Sequence, residues 1–224
     1  MALALSSRSA EPGYFRARSP AELAWTRAAP FNVGLWPRAL SAPTAERFAQ
    51  AAAAKPIAVE ATVDLAFPEQ ARRVAASIGD PLLAAFIWSD LRRLIPTFAA
   101  ITGDDEVVVR LHTIRDGMCE KLHADYVTLR MLCTYAGPGT QWVAPGDVVR
   151  EHLRRTDLPV EEANAAVLRH PNALRQVQAG DVLVLKGEMW PANPGRGAVH
   201  RSPPIDTSGP PRLLLRIDAA DCRR

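Results

Sequence analysis

Apolar residues recur at helical spacing through residues 80–98. Leu82, Leu83, Phe86, Ile87, Leu91, Leu94 and Ile95 make a stripe, which predicts a long helix packed on something large. "APTAERFAQAAAAK", residues 42–55, also predicts a helix, because alanine favours one and Thr44 suits an N-cap. "PEQARRVAASIG" reads as a third. Residues 56–65, "PIAVEATVDL", alternate apolar and polar as a half-buried strand does. Before residue 40 there is no clear period, only a hint of a strand around "FNVGLW".

The texture changes near residue 104. "EVVVRLHTIRDG", "YVTLRMLCTYAG", "GDVLVLKGE", "GAVHRSP" and "RLLLRIDA" are short β-rich runs. Turn signals separate them, among them Asp116-Gly117, Gly137-Pro138-Gly139 and Gly209-Pro210-Pro211. Strands at this spacing without interleaved helices predict an antiparallel sandwich or barrel. The expected organisation is one α+β structural domain. An irregular arm spans 1–40, a helical region 41–103 and a β-rich core 104–224. A polar insertion at about 145–173 carries a short helix, "PVEEANAAVLRH".

Composition narrows the function classes. A net charge of +3, with basic residues scattered and not interleaved with aromatics, argues against nucleic acid. No stretch approaches the ~20 apolar residues that span a bilayer. The first residues, "MALALSSRSAEPGYF", lack the basic start of a signal peptide. The three cysteines, Cys119, Cys133 and Cys222, form no CxxC pair, which argues against a disulfide framework or zinc ribbon. A cytoplasmic, reduced protein is the expectation.

The chemistry concentrates in "LHADYVTLRMLCTYAGPGTQWV", residues 122–143. His123 and Asp125 lie two apart, so on an extended chain they face one side. Two imidazoles and a carboxylate form a preferred ligand set for non-haem iron. His-x-Asp alone is weak, since such triplets are common by chance. The second imidazole is His200, in "GRGAVHRSPP", after a Gly-rich loop. Arg212, in "PPRLLLRID", follows on the next β run.

His-x-Asp, a distant His and then an Arg on the next strand resembles the iron(II)- and 2-oxoglutarate-dependent dioxygenases, more particularly the prolyl-hydroxylase-like branch. The resemblance covers about residues 80–218. "VVVRLHTIRDGMCEKLHAD", "MLCTYAGPGTQWV" and "AGDVLVLKGE" match the family's runs in order. The chain is also similar to a bacterial family of unknown function that carries the HxD and HRSPP pattern. The resemblance implies a double-stranded β-helix, or jelly roll, with N-terminal helices packed on it. It implies His123, Asp125 and His200 as iron ligands, with no catalytic residue beyond them. Arg212 is implied as partner of the distal carboxylate of 2-oxoglutarate, since its planar fork meets a carboxylate in two places. By strand parity Tyr135 and Arg216 face the same cosubstrate. The family's serine two residues past the arginine is Leu214 here, and "SPPIDTSGPP" must bulge between His200 and Arg212.

The implied function is an oxygenase that hydroxylates a small molecule or a protein side chain. One alternative is a cupin-like metal binder, isomerase or hydrolase, holding zinc and not using 2-oxoglutarate. Another is a non-enzymatic jelly-roll interaction module. Several residues have plainer readings. His112, His152 and His170 read as ordinary strand or surface histidines. Trp142 and Trp190 read as covers of core edges, Cys133 as a small buried residue, and Lys186 with Glu188 as an ion pair at a strand end.

Overall fold

The structure is a computed structural model that describes residues 10–117, 119–205 and 209–220. The N-terminal arm, expected to be irregular, supplies three strands: β1 (Ala10–Glu11), β2 (Tyr14–Arg16) and β3 (Val33–Trp36). Then follow α1 (Ala42–Ala54), β4 (Ala58–Asp64), α2 (Arg72–Ala76) and α3 (Pro81–Thr102). The β-rich part holds β5 (Glu106–Ile114), β6 (His123–Ala124), β7 (Leu129–Ala136) and β8 (Gln141–Val143). After α4 (Val160–Val167), within the expected insertion, come β9 (Leu174–Gln176), β10 (Val182–Lys186), β11 (Val199–Arg201) and β12 (Arg212–Ala219). Residues 1–9 of the arm, residues 206–208 of the bulging loop and Cys222 lie outside the described residues.

Local chemistry sets the helix ends. Ser41, not Thr44, caps α1: its hydroxyl accepts from the Thr44 amide at 3.3 Å. Asp80 caps α3 by accepting from the Leu82 and Leu83 amides. Gly103 ends that helix at φ 85°, a conformation glycine adopts without penalty. The α3 stripe buries Leu83, Ile87, Leu91, Leu94 and Ile95, with Phe98 one turn on, while Leu82 faces solvent.

The strands form two sheets. The larger runs β1-β2-β3-β10-β7-β12-β5-β4 and the smaller β6-β11-β8-β9. Neighbours are antiparallel apart from β2 and β3. Met131, Cys133 and Tyr135 of β7 and Leu213, Leu215 and Ile217 of β12 pack with the helices on one face of the large sheet. Leu132, Leu183 and Leu185, on its other face, share a core with Trp142 of the small sheet. Three layers result: helices, large sheet, small sheet. No helix among the described residues is long and apolar enough to cross a membrane.

Two expected roles are corrected here. Tyr135 does not face the candidate site. It is fully buried on the helix side, stacked on Phe48, and donates to Asp90 Oδ2 at 2.8 Å. Asp90 also takes both terminal nitrogens of Arg38 at 2.6 Å. Removing one partner of a buried ion pair leaves the other charge uncompensated. Asp90→Ala is therefore expected to cost about 3–5 kcal/mol, read as a lower urea midpoint at unchanged slope.

Lys186 and Glu188 form no ion pair. The Lys186 ammonium donates to the Ala28 carbonyl at 3.3 Å and sits 4.8 Å from the Trp190 ring centroid. Glu188 instead accepts from the amides of Gly195 and Gly197. Burial lowers the Lys186 pKa to about 8, with the Arg196 charge adding to it. The unfolded chain then holds this proton to higher pH than the folded one, so stability rises with pH across about 8 to 10.4. Wild-type protein is expected to gain melting temperature over that window relative to Lys186→Met.

Candidate metal centre

β6 and β11 pair antiparallel with His123 opposite His200. That register sets the two rings 4.7 Å apart, centroid to centroid. Asp125 lies just past the end of β6. A tight turn holds its segment: the Glu188 amide donates to the Asp125 carbonyl at 2.9 Å and the Met189 amide to that of Val127 at 3.1 Å. Gly187 permits the approach, because a Cβ there would meet the Val127 oxygen at 1.9 Å.

Each imidazole has its Nδ1 against a backbone carbonyl. His123 meets Lys121 at 2.7 Å and His200 meets Ala198 at 3.2 Å. Donation from Nδ1 leaves the Nε2 lone pairs free to bind a metal. His123 Nε2 lies 3.5 Å from Asp125 Oδ1, and His200 Nε2 lies 3.1 Å from Asp125 Oδ2. Donor atoms of all three residues fall within 4.8 Å of one another. Ligands about 2.1 Å from a shared ion lie roughly 3 Å apart when they bind at right angles, so the set fits one metal.

The electrostatics keep Asp125 ionised. In the metal-free protein burial opposes its charge, but hydrogen bonding to His123 and His200, whose Nε2 atoms a metal would otherwise take, and the Arg130 charge hold the carboxyl well below the usual carboxylate range. Burial likewise opposes the His123 imidazolium, and the Asp125 and Lys121 hydrogen bonds outweigh it and raise the pKa. Arg130 Nη1 donates to Asp125 Oδ2 at 2.5 Å and its Nε to the buried Asp218 at 2.7 Å. Asp218 also accepts from Arg110 at 2.8 Å.

Arg212 lies across a cavity of about 120 Å³ lined by His123, Asp125 and His200. It is 1% exposed. Its Nη2 donates to Thr140 at 2.5 Å and Thr134 at 3.3 Å, and its Nη1 to Ser202 at 3.3 Å. Its Nε has no partner, and no carboxylate pairs with it, among the described residues. Burial alone pulls its pKa down to about 10. A turn at Gly137, φ 74°, lies against it; a Cβ there would come 2.8 Å from the Arg212 Cα. Arg216 lines the same cavity, four residues along β12.

The three candidate ligand residues, Arg212 and Arg216 are thus brought to one cavity, and Tyr135 is not. Strand parity from Asp125 fails because residues 125–128 leave the extended conformation before β7. Arg130, Thr134, Ser202 and Asp218 were not singled out in the sequence. Alternation in β7 does carry a signal for two of them. Leu129, Met131, Cys133 and Tyr135 are all core residues, so Arg130 and Thr134 face the other side. Trp142 is buried opposite His200 on β8, and Trp190 packs partly buried against the core. His112 is half-buried on β5 and His170 is exposed.

A family described as "Protein of unknown function (DUF1826)" matches residues 17–218. The chain belongs to that family. Comparison with curated proteins gives no match. Among solved structures, this DUF1826 chain is similar to a dioxygenase for auxin oxidation from rice, with 12% identity, 94% of this chain and 84% of the other covered, and a TM-score of 0.49. It is also similar to HygX from Streptomyces hygroscopicus, solved with nickel and 2-oxoglutarate, at 12% identity, coverage of 84% and 83%, and a TM-score of 0.41. A prolyl hydroxylase from Trichoplax adhaerens, solved with a peptide of hypoxia inducible factor, is similar at 9% identity, coverage of 88% and 87%, and a TM-score of 0.42.

Proposed function

We propose that the protein is an iron(II)- and 2-oxoglutarate-dependent oxygenase built on a double-stranded β-helix. One observation carries the reading: Arg212 is a buried guanidinium that, among the described residues, has an unpartnered Nε and no carboxylate, across a small cavity from two imidazoles and a carboxylate. A desolvated charge is costly unless an opposite charge meets it. A dicarboxylate supplies that charge at one end and a metal-binding group at the other. The zinc-only and interaction-module readings leave this cost unanswered.

His123, Asp125 and His200 would hold the iron, and Arg212 the distal carboxylate. Hydroxyls on β7 and beside β8 and β11 stand in for the serine absent at Leu214. The hydroxyls of Thr134, Thr140 and Ser202 each accept from Arg212, so each keeps its own proton to donate to the same carboxylate. Ile114, Leu132 and Leu214 give the cavity apolar walls that keep water away. When bound, iron(II) with 2-oxoglutarate and dioxygen supplies oxidative decarboxylation to succinate and oxygen insertion into a C–H bond.

Purified protein with iron(II), ascorbate and 2-oxoglutarate is expected to release succinate. No release, together with no 2-oxoglutarate-dependent visible absorbance in the anaerobic iron(II) protein, would remove the reading.

A further inference from the structure

β5, β7 and β12 pave one face of the large sheet beside the metal ligands. In register, Arg216 of β12 lies opposite Arg110 on β5 and Leu132 on β7, and Leu214 lies opposite His112. A second cavity, of about 180 Å³, lies over β4, β5 and β12 and shares Ile114, Leu214 and Arg216 with the metal cavity. The two adjoining spaces reach only the lower end of the range for small-molecule pockets, ~300 Å³. That room suits a small molecule rather than a folded partner.

Three guanidiniums and three carboxylates meet here, but the pairing is uneven. Arg130 is engaged by Asp125 and Asp218, and Arg110 by Asp218 and Glu60. Arg216 Nε lies 2.8 Å from the same Asp218, off the line a hydrogen bond needs, and its terminal nitrogens donate to no described residue. Three guanidiniums thus converge on one buried carboxylate. The second cavity has one acidic lining residue of its own, the exposed Asp116. Burial and the charges of Arg216 and Arg110 lower the His112 pKa, which keeps that ring neutral beside the space. Arg216 is the least engaged of the three cations, and it stands about 14 Å along the strand from Arg212 at 3.4 Å per residue.

We propose that the substrate is a small organic acid, held as its anion by Arg216 with its body in the cavity over β4, β5 and β12. This rests on the oxygenase reading, in which Arg212 is taken by the cosubstrate. An Arg216–carboxylate contact at the shared wall places such a molecule next to the cavity that the three candidate ligands line.

The test uses full-length protein loaded with manganese(II) and 2-oxoglutarate, which does not turn over. Benzoate, benzamide and benzylamine serve as probes with one body and three head groups. Proton line broadening by the bound manganese reports binding near the metal. Benzoate is expected to bind at least about tenfold more tightly than the other two, a typical worth for one charge-assisted contact. Arg216→Leu should abolish that preference and Arg216→Lys should restore part of it, both with 2-oxoglutarate broadening retained. Asp218 keeps Arg110 and Arg130 in either variant, and a melting curve confirms folding. Equal binding of the three probes, preference for benzylamine, no benzoate binding or no effect of Arg216→Leu would each overturn the proposal. So would displacement of benzoate by added 2-oxoglutarate, which would place it on Arg212. If manganese fails to broaden 2-oxoglutarate itself, the oxygenase reading falls, and this inference falls with it.

Discussion

His200→Ala is expected to weaken divalent metal binding by more than about 100-fold, since even groups that merely orient a ligand are typically worth 10–100-fold. Wild-type protein should gain melting temperature when manganese(II) is added, because an ion that binds only the folded state stabilises it by mass action, about 2.7 kcal/mol at 100 times Kd. The variant should show no such gain. His170→Ala is the matched control: that imidazole is exposed and faces Asp147 at 3.5 Å, away from the three ligands. It should leave the metal-linked gain untouched. Calorimetric titration with manganese(II) and paired melting curves check both variants. Equal metal binding by His200→Ala and wild type would exclude His200 as a ligand.

Arg212→Leu should separate cosubstrate binding from metal binding. Loss of one partner from a buried charge pair costs 2–5 kcal/mol or more, so 2-oxoglutarate should bind about 30-fold to more than 1,000-fold more weakly. Manganese(II) affinity should stay close to wild type, because Arg212 touches none of the three ligands. The unliganded variant should remain folded, since what leaves is a desolvated cation without an anion among the described residues. Competing readings predict otherwise: a purely structural Arg212 would, on replacement, lower stability with and without 2-oxoglutarate alike.

Much of the architecture was legible where the pattern is long. The α3 stripe, the alternation of β4 and the turn-punctuated strands after residue 104 all rest on repeated burial of one face. The order His123, Asp125, His200, Arg212 was legible because each residue type has a narrow chemical use. The arm was not legible. Its strands are two to four residues long, too short to show a period, and they gain their place by joining the edge of a sheet formed elsewhere. Tyr135 was misplaced because parity counts only within an unbroken strand, and residues 125–128 interrupt the extended chain before β7. Arg130 was missed for a different reason. Its importance comes from Asp218, 88 residues away, and no local spacing encodes that pair.

The same distinction explains the Lys186–Glu188 error. Two opposite charges close in sequence at a strand end suggested a pair, yet the turn that clamps residues 125–128 points Glu188 at the Gly195–Gly197 loop. The turn holds the segment of the candidate ligand Asp125, so a local rule gave way where it met the candidate site.

The most direct test of the account is a crystal structure of the protein grown without oxygen with manganese(II) and 2-oxoglutarate. The account predicts one ion bound by His123 Nε2, His200 Nε2 and an Asp125 oxygen at about 2.0–2.3 Å, with the far carboxylate of 2-oxoglutarate on Arg212. An ion bound elsewhere, or Arg212 left without a carboxylate while 2-oxoglutarate is present, would contradict it.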